Sequence, residues 1–339
     1  MHSLQVAPQT KLGVLEAYYG YDSFRPGQEA IIDAILSGRD AMAIMPTSAG
    51  KSLCFQVPAL LLPGVTLVIS PLISLMQDQV SSLEAMGIPA VLINSGQSLE
   101  ENRQAIVALR SGQVKLAYIA PERLSNDYFL NLVSQLEVSL VAVDEAHCIS
   151  QWGNDFRPSY QAIPHLLDYL AKRPVMAAFT ATATQQVRQD IVHYLGLQKP
   201  FEMVTGFDRP NLFFALEEPS DKMRRLKELL AGGEPSIVYC ATRKDVESVA
   251  GKLNQAGIQA RPYHAGMDMS DRHATQRAFQ FDEIQVVVAT NAFGMGIDKS
   301  NVRQVIHYAM PKDLESYYQE AGRAGRDGED SRCTLFYSD

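Results

Sequence analysis

Short runs of β-branched and small apolar residues recur through the first half of the chain: Ala41 to Met45, Thr66 to Ile69, Ala90 to Ile93, Lys115 to Ile119, Leu140 to Val143 and Val175 to Phe179. Their apolar positions are continuous rather than alternating, which predicts strands covered on both faces. Between them lie stretches with helical spacing, Gly27 to Leu36, Ser74 to Met86, Leu99 to Arg110 and Thr184 to Leu195. Strand and helix in alternation predict a parallel sheet flanked by helices. After Gly196 the pattern loosens into a segment holding Pro200, Gly206 and Asp208-Arg-Pro-Asn211, and the domain boundary is placed there. Alternation then resumes, with strands expected over Ser236 to Cys240, Gln259 to Tyr263, Gln285 to Thr290 and Arg303 to Tyr308. Helices are expected near Asp221 to Ala231, Lys244 to Gln255, Ser270 to Phe281 and Asp313 to Glu320. The expectation is an α/β protein of two tandem domains, residues 1–206 and 207–339, with a cleft between their sheets.

A length of 339 residues agrees with about two domains. With 46% apolar and 20% charged residues, the composition excludes disordered, collagenous and coiled-coil chains. The formal net charge of −8 carries no block of like charge, so a polyanionic partner must meet a local groove rather than a basic tail. Cys54, Cys148, Cys240 and Cys333 stand too far apart for a CxxC metal pair or a dense disulfide framework, and a reducing, cytoplasmic setting is expected. The stretch from Ser52 to Gln77 lacks any charge, but Pro58, Pro63, Gly64 and Pro71 interrupt it. It reads as a buried helix, a turn and a buried strand, with no membrane span. The first residues lack the basic start and apolar core of a secretory signal.

Three elements carry chemistry. Directly after the first strand comes Met45-Pro-Thr47-Ser48-Ala49-Gly50-Lys51-Ser52, followed by an apolar helical run. Backbone N–H groups of such a loop cradle phosphates, the lysine reaches the outer phosphates and the hydroxyl of Ser52 holds Mg²⁺. Met45 stands where the phosphate-loop pattern has its first glycine. Asp144-Glu145-Ala-His147 ends the apolar strand Leu-Val-Ala-Val, where Asp144 can hold Mg²⁺ and Glu145 can position or deprotonate an attacking water. Gln319-Glu-Ala-Gly-Arg323-Ala-Gly-Arg326 follows a helical run near the C-terminus, and its two arginines can point together toward a phosphate or cap a helix end. Because it belongs to the second domain and Lys51 and Asp144 to the first, hydrolysis is expected to require the cleft to close. Past the acidic motif, Gln151-Trp152-Gly-Asn-Asp-Phe156-Arg157-Pro158 places aromatic rings in a polar loop, suited either to stacking on unpaired bases or to anchoring the loop.

Together these elements resemble superfamily 2 helicases, and in detail the RecQ family of DNA helicases, over nearly the whole chain. The resemblance also rests on the run from Tyr19 to Gln28, Ser70-Pro-Leu-Ile-Ser-Leu, Thr180-Ala-Thr-Ala, Tyr263-His-Ala-Gly and Ala289-Thr-Asn-Ala-Phe-Gly-Met-Gly-Ile-Asp298. It implies two RecA-like domains that bind ATP between them and single-stranded DNA across their tops. It further implies Tyr21 and Arg25 on the adenine faces with Gln28 on its edge, and Gly296 and Asp298 coupling the second domain to nucleotide. His147, standing between Glu145 and the aromatic loop, reads either as a structural histidine or as a relay of DNA contact to the ATP site. Trp152, Phe156 and Arg157 would be DNA contacts. The implied activity is ATP-driven 3′ to 5′ movement with unwinding of partly duplex DNA in repair and recombination, by a monomer that is nucleoid-associated if bacterial. An RNA helicase, a translocase that does not unwind and a catalytically silent nucleotide-binding scaffold are the alternatives. Ser48-Ala49 replaces the family's common Gly-Gly, and its four-cysteine zinc module and winged helix are absent from this chain.

Overall fold

The six apolar runs of the first half and one further strand form one parallel sheet: β1 (Ala41–Ile44), β2 (Val65–Ile69), β3 (Ala90–Ile93), β4 (Leu116–Ile119), β5 (Val138–Val143), β6 (Val175–Thr180) and β7 (Phe201–Val204). Their order is β3-β4-β2-β5-β6-β1-β7, and every ladder is parallel. This computed structural model describes residues 8–337 apart from 47–48, 95, 154, 207, 292 and 294–298. The chain divides into two units, Met1–Phe207 and Asp208–Asp339.

In the first unit the helices are α1 (Lys11–Val14), α2 (Gln28–Leu36), α3 (Leu53–Leu61), α4 (Ile73–Ala85), α5 (Leu99–Arg110), α6 (Asp127–Val133), α7 (Ile163–Tyr169) and α8 (Gln185–Tyr194). One face of the sheet packs Val68, Leu140 and Ala142 with Ile31, Phe55 and Met76, and the other packs Leu67, Val141 and Val143 with Leu109, Phe129 and Ile191. Successive strand residues point to opposite faces, so a sheet covered on both sides needs unbroken apolar runs. Ser98 begins α5 with a capping box: its hydroxyl accepts from the Glu101 amide while the Glu101 carboxylate accepts from the Ser98 amide.

The uncharged stretch after Ser52 is α3, a turn and β2, and among the described residues no helix is long and apolar enough to cross a membrane. The four cysteines are buried and free. Burial pushes the thiols of Cys54, Cys240 and Cys333 up to about 12.

At the base of the sheet, before β1, the buried Asp40 carboxylate accepts from both terminal nitrogens of Arg173 at 3.0 and 2.6 Å, from the Met176 amide at 2.9 Å and from the Gln198 amide at 2.6 Å. That one side chain ties the entries to β1, β6 and β7.

The second unit repeats the plan with β8 (Leu212–Glu217), β9 (Ser236–Tyr239), β10 (Ala260–Tyr263), β11 (Val286–Ala289), β12 (Gln304–His307) and β13 (Ser331–Phe336), in the order β10-β11-β9-β12-β13-β8. Its ladders are also parallel. Its helices are α9 (Lys222–Leu230), α10 (Arg243–Gln255), α11 (Met269–Gln280) and α12 (Leu314–Ala321).

The loosened segment after Gly196 is not all connection, for it contains β7 and leads into β8. In β7, half-buried and exposed residues alternate because the strand lies at the sheet edge, and such a strand lacks the continuous apolar run of its neighbours.

Candidate active site

The phosphate-type loop leaves the C-terminal end of β1 and enters α3. Gly50 has φ +71, and a Cβ there would come within 2.5 Å of Gln28 Nε2, so glycine alone permits this approach. Gln28 is buried: its Nε2 donates to the carbonyls of Ala49 at 3.0 Å and Gly50 at 3.1 Å, while its Oε1 accepts from the Arg25 amide at 2.9 Å. In this state Gln28 fastens the loop, whereas Tyr21 and Arg25 stand exposed nearby in sequence. Lys51 is 7% exposed, and its Nζ has no hydrogen-bond partner among the described residues. An ammonium buried in this way needs an anion. The Ser52 hydroxyl accepts from Gln79 Nε2 at 3.0 Å. Thr47 and Ser48 lie outside the described residues.

The acidic motif leaves the C-terminal end of β5, on the same edge of the sheet. The Asp144 amide continues the ladder to the Ile69 carbonyl at 2.8 Å, and the carboxylate accepts from the Glu145 amide at 3.0 Å and the Ser70 hydroxyl at 3.4 Å. Burial, reinforced by the neighbouring Glu145 charge, pushes the Asp144 carboxyl up to about 6, even though the positive charge of Lys51 pulls it down. Glu145 itself adopts φ 46 and ψ 46, a left-handed conformation that costs a non-glycine residue about 1–3 kcal/mol. The Thr180 hydroxyl donates to the Thr182 carbonyl at 2.9 Å, so the 2.9 Å contact between His147 Nδ1 and Thr180 Oγ1 requires the hydrogen on Nδ1. The same nitrogen is 3.4 Å from Glu145 Oε2, and His147 thus links the acid to the end of β6.

The aromatic loop is fixed onto this turn at several points. The Arg157 amide donates to the Cys148 carbonyl at 2.9 Å, and the Tyr160 hydroxyl donates to the Asp144 carbonyl at 2.8 Å. A Cβ on Gly153 would sit 2.3 Å from the His147 carbonyl oxygen, so the loop passes too close for a side chain. Arg157 donates through Nη1 to the Pro71 carbonyl and through Nε and Nη2 to Asp155, each at 2.9 Å. Its guanidinium therefore braces the loop. Trp152 is 75% exposed and Phe156 half-buried.

In the second unit, Arg323 is buried two residues past α12 and Arg326 is half-buried. Arg323 hydrogen-bonds the Tyr239 hydroxyl, and buried His307 meets Glu320 at 2.9 Å. Gly296 and Asp298 lie outside the described residues.

The structure brings Lys51, Ser52, Asp144, Glu145 and His147 to one edge of the first sheet. Sequence reasoning passed over Gln79 and Tyr160, which bond Ser52 and Asp144. For Gln79 the signal was an amide one helical turn beyond Met76, on the apolar face of α4. For Tyr160 none existed short of the fold, because its partner is a main-chain carbonyl 16 residues earlier.

Comparison with known proteins finds a DEAD/DEAH box helicase domain over residues 25–191 and a helicase conserved C-terminal domain over residues 221–328. The ATP-dependent DNA helicase RecQ of Pasteurella multocida is 52% identical over 331 residues, which cover 97% of this chain and 52% of that protein. The protein of that name from Bacillus subtilis is 50% identical, covering 96% of this chain and 56% of the relative. The chain spans about half the length of these curated relatives. Among solved structures, Mycobacterium smegmatis helicase Lhr bound to single-stranded DNA and AMP-PNP matches with TM-score 0.76 at 21% identity, over 94% of this chain and 46% of that one. Helicase MrfA bound to DNA matches with TM-score 0.80 at 18% identity, over 100% of this chain and 52% of that one. At these identities the likeness is one of fold.

Proposed function

Because the chain belongs to the RecQ family of helicases, we propose that it is the ATP-hydrolysing core of a DNA helicase, coupling turnover to 3′ to 5′ movement on single-stranded DNA and to duplex separation in repair and recombination. The observation that carries the reading is a buried Lys51 ammonium, partnerless among the described residues, whose charge is felt at the buried Asp144 carboxylate. A phosphate chain with its cation supplies what each group lacks.

In this reading Lys51 orients the outer phosphates, and the amides of the loop and the first turn of α3 bind their oxygens. Ser52 and Asp144 would hold Mg²⁺, a cation usually bound through one or two carboxylates together with substrate phosphates, and when bound it neutralises phosphate charge. Glu145 takes the proton of the attacking water, and the His147 ring lies beside that carboxylate, 3.4 Å from its Oε2. Tyr21 and Arg25 offer faces for adenine, and Gln28 offers its amide once it releases the loop carbonyls. Arg323 and Arg326 stabilise charge on the γ-phosphate. Residues 1–206 act as the ATP-binding domain and residues 207–339 as the second helicase domain, with Gly296 and Asp298 coupling the latter to nucleotide.

For DNA, Trp152 and Phe156 supply stacking faces, while Arg157 acts by bracing the loop. The enzyme is taken to be a monomer working in the cytoplasm, at the nucleoid if bacterial. The deciding experiment is the ATPase rate with single-stranded DNA, with RNA and without polymer. A rise specific to DNA is expected. Equal stimulation by RNA would favour an RNA helicase, and no turnover under any condition a silent scaffold.

A further inference from the structure

Helix α4 and the turn that leads into it touch the site at three places. Just before it, the Ser70 hydroxyl reaches Asp144 and the Pro71 carbonyl receives Arg157; within it, Gln79 donates to the Ser52 hydroxyl. The other end of the Gln79 amide, Oε1, is shut away from solvent and has no hydrogen-bond partner among the described residues. A buried amide end in that condition costs free energy unless something completes it.

We infer that Gln79 is a positioning residue for Mg²⁺, holding the Ser52 hydroxyl so that an oxygen lone pair faces the cation and offering Oε1 to a water on it. The inference rests on the reading of Ser52 as a metal-holding residue. A hydroxyl oxygen has two lone pairs and one hydrogen. With one lone pair occupied by Gln79 Nε2–H, the other is free for the metal and the hydrogen for a phosphate oxygen. An unrestrained serine side chain would spread over its rotamers, whereas the 3.0 Å bond from a helix holds it in one. Because α4 is also rooted beside Asp144, both proposed ligands are referred to the same rigid element. Outer-sphere partners of this kind typically govern metal affinity by about 10–100-fold.

The test is the Mg²⁺ concentration giving half-maximal binding of a fluorescent, non-hydrolysable ATP analogue to the full chain, measured beside binding of the same analogue in EDTA. Gln79→Met keeps the volume and removes both amide functions; it should raise the Mg²⁺ midpoint about 10-fold or more and leave binding in EDTA within about twofold. Gln79→Asn keeps an amide that falls short of Ser52, and should shift the midpoint the same way should the methionine variant fold poorly. A general packing defect would weaken binding in both conditions, and that result overturns the inference. Ser52→Ala separates the two levels of the argument. If it leaves the midpoint unchanged, the metal-holding reading of Ser52 is wrong and the inference falls with it. If Ser52→Ala shifts the midpoint while both Gln79 variants match the parent, that reading stands and the role of Gln79 is refuted.

Discussion

Tyr160 donates its hydroxyl hydrogen to the main-chain carbonyl of Asp144 across 2.8 Å, from a side chain that is fully buried. Together with the Arg157 amide on the Cys148 carbonyl, this bond makes the acidic turn and the downstream end of the aromatic loop one body. Any displacement of the loop therefore moves the backbone bearing Glu145.

Trp152→Ala should retain basal ATPase within about twofold and lose stimulation by single-stranded DNA, because stacking contributes about 1–3 kcal/mol per base while phosphate contacts elsewhere preserve much of the binding. The ring is 75% exposed, so its removal opens no cavity. The measurement is ATPase rate against DNA concentration at fixed salt. Full stimulation in the variant would reduce the loop to an anchor.

Lys51→Ala should abolish ATP turnover, since it deletes the buried cation. Glu145→Gln should bind ATP yet hydrolyse it slowly, since it keeps the shape and removes only the proton acceptor. Analogue binding alongside turnover distinguishes the two, and normal turnover in Glu145→Gln would remove Glu145 from its assigned role.

Arg326→Ala is expected to spare ATP binding and to lower kcat by about 10³-fold or more, the range for a phosphate-stabilising arginine. Turnover within about twofold of the parent would leave Arg326 as a structural residue in the turn after α12.

Asp144 sets stability against function. Its carboxyl rises from 3.8 to about 6 on folding, so the native state holds the proton more tightly than the unfolded chain. Its contribution to stability is complete below about pH 4, declines as pH rises to about 6, and is fully unfavourable above that. Asp144→Asn should then raise the melting midpoint at pH 7.5 without metal or nucleotide, a gain that disappears near pH 4. The same variant should lose Mg²⁺-dependent nucleotide binding. A midpoint at or below the parent's at pH 7.5 would contradict this.

The sequence was most legible where burial is complete. The runs at β2, β5 and β6 mark strands covered on both faces, and Leu99 to Arg110 matches α5 from end to end because Ser98 and Glu101 write its start in the sequence. Strands β7 and β8 were hidden because edge strands alternate or expose their apolar residues: Phe213 and Leu216 of β8 are 62% and 66% exposed. At the site, Lys51, Asp144 and Glu145 are carried by motifs. Gln79 on Ser52, Tyr160 on the Asp144 carbonyl and Thr180 on His147 act through contacts that local spacing does not encode. The family resemblance implies Arg157 as a DNA contact, and in the structure three of its guanidinium donors go to Asp155 and Pro71.

The Asp40 cluster lies at the opposite end of the first sheet from Lys51 and Asp144. Amides bound to a buried carboxylate that also grips a guanidinium can exchange with solvent only when that whole end opens, and such openings approach the free energy of global unfolding. The amides of Met176 and Gln198 should therefore be among the slowest in the chain to take up deuterium. Those of the loop around Ala49 should exchange early in the free protein and slow down when nucleotide binds. A protection gradient running from base to top along the same strands would confine the breathing of this domain to the edge where phosphate is held.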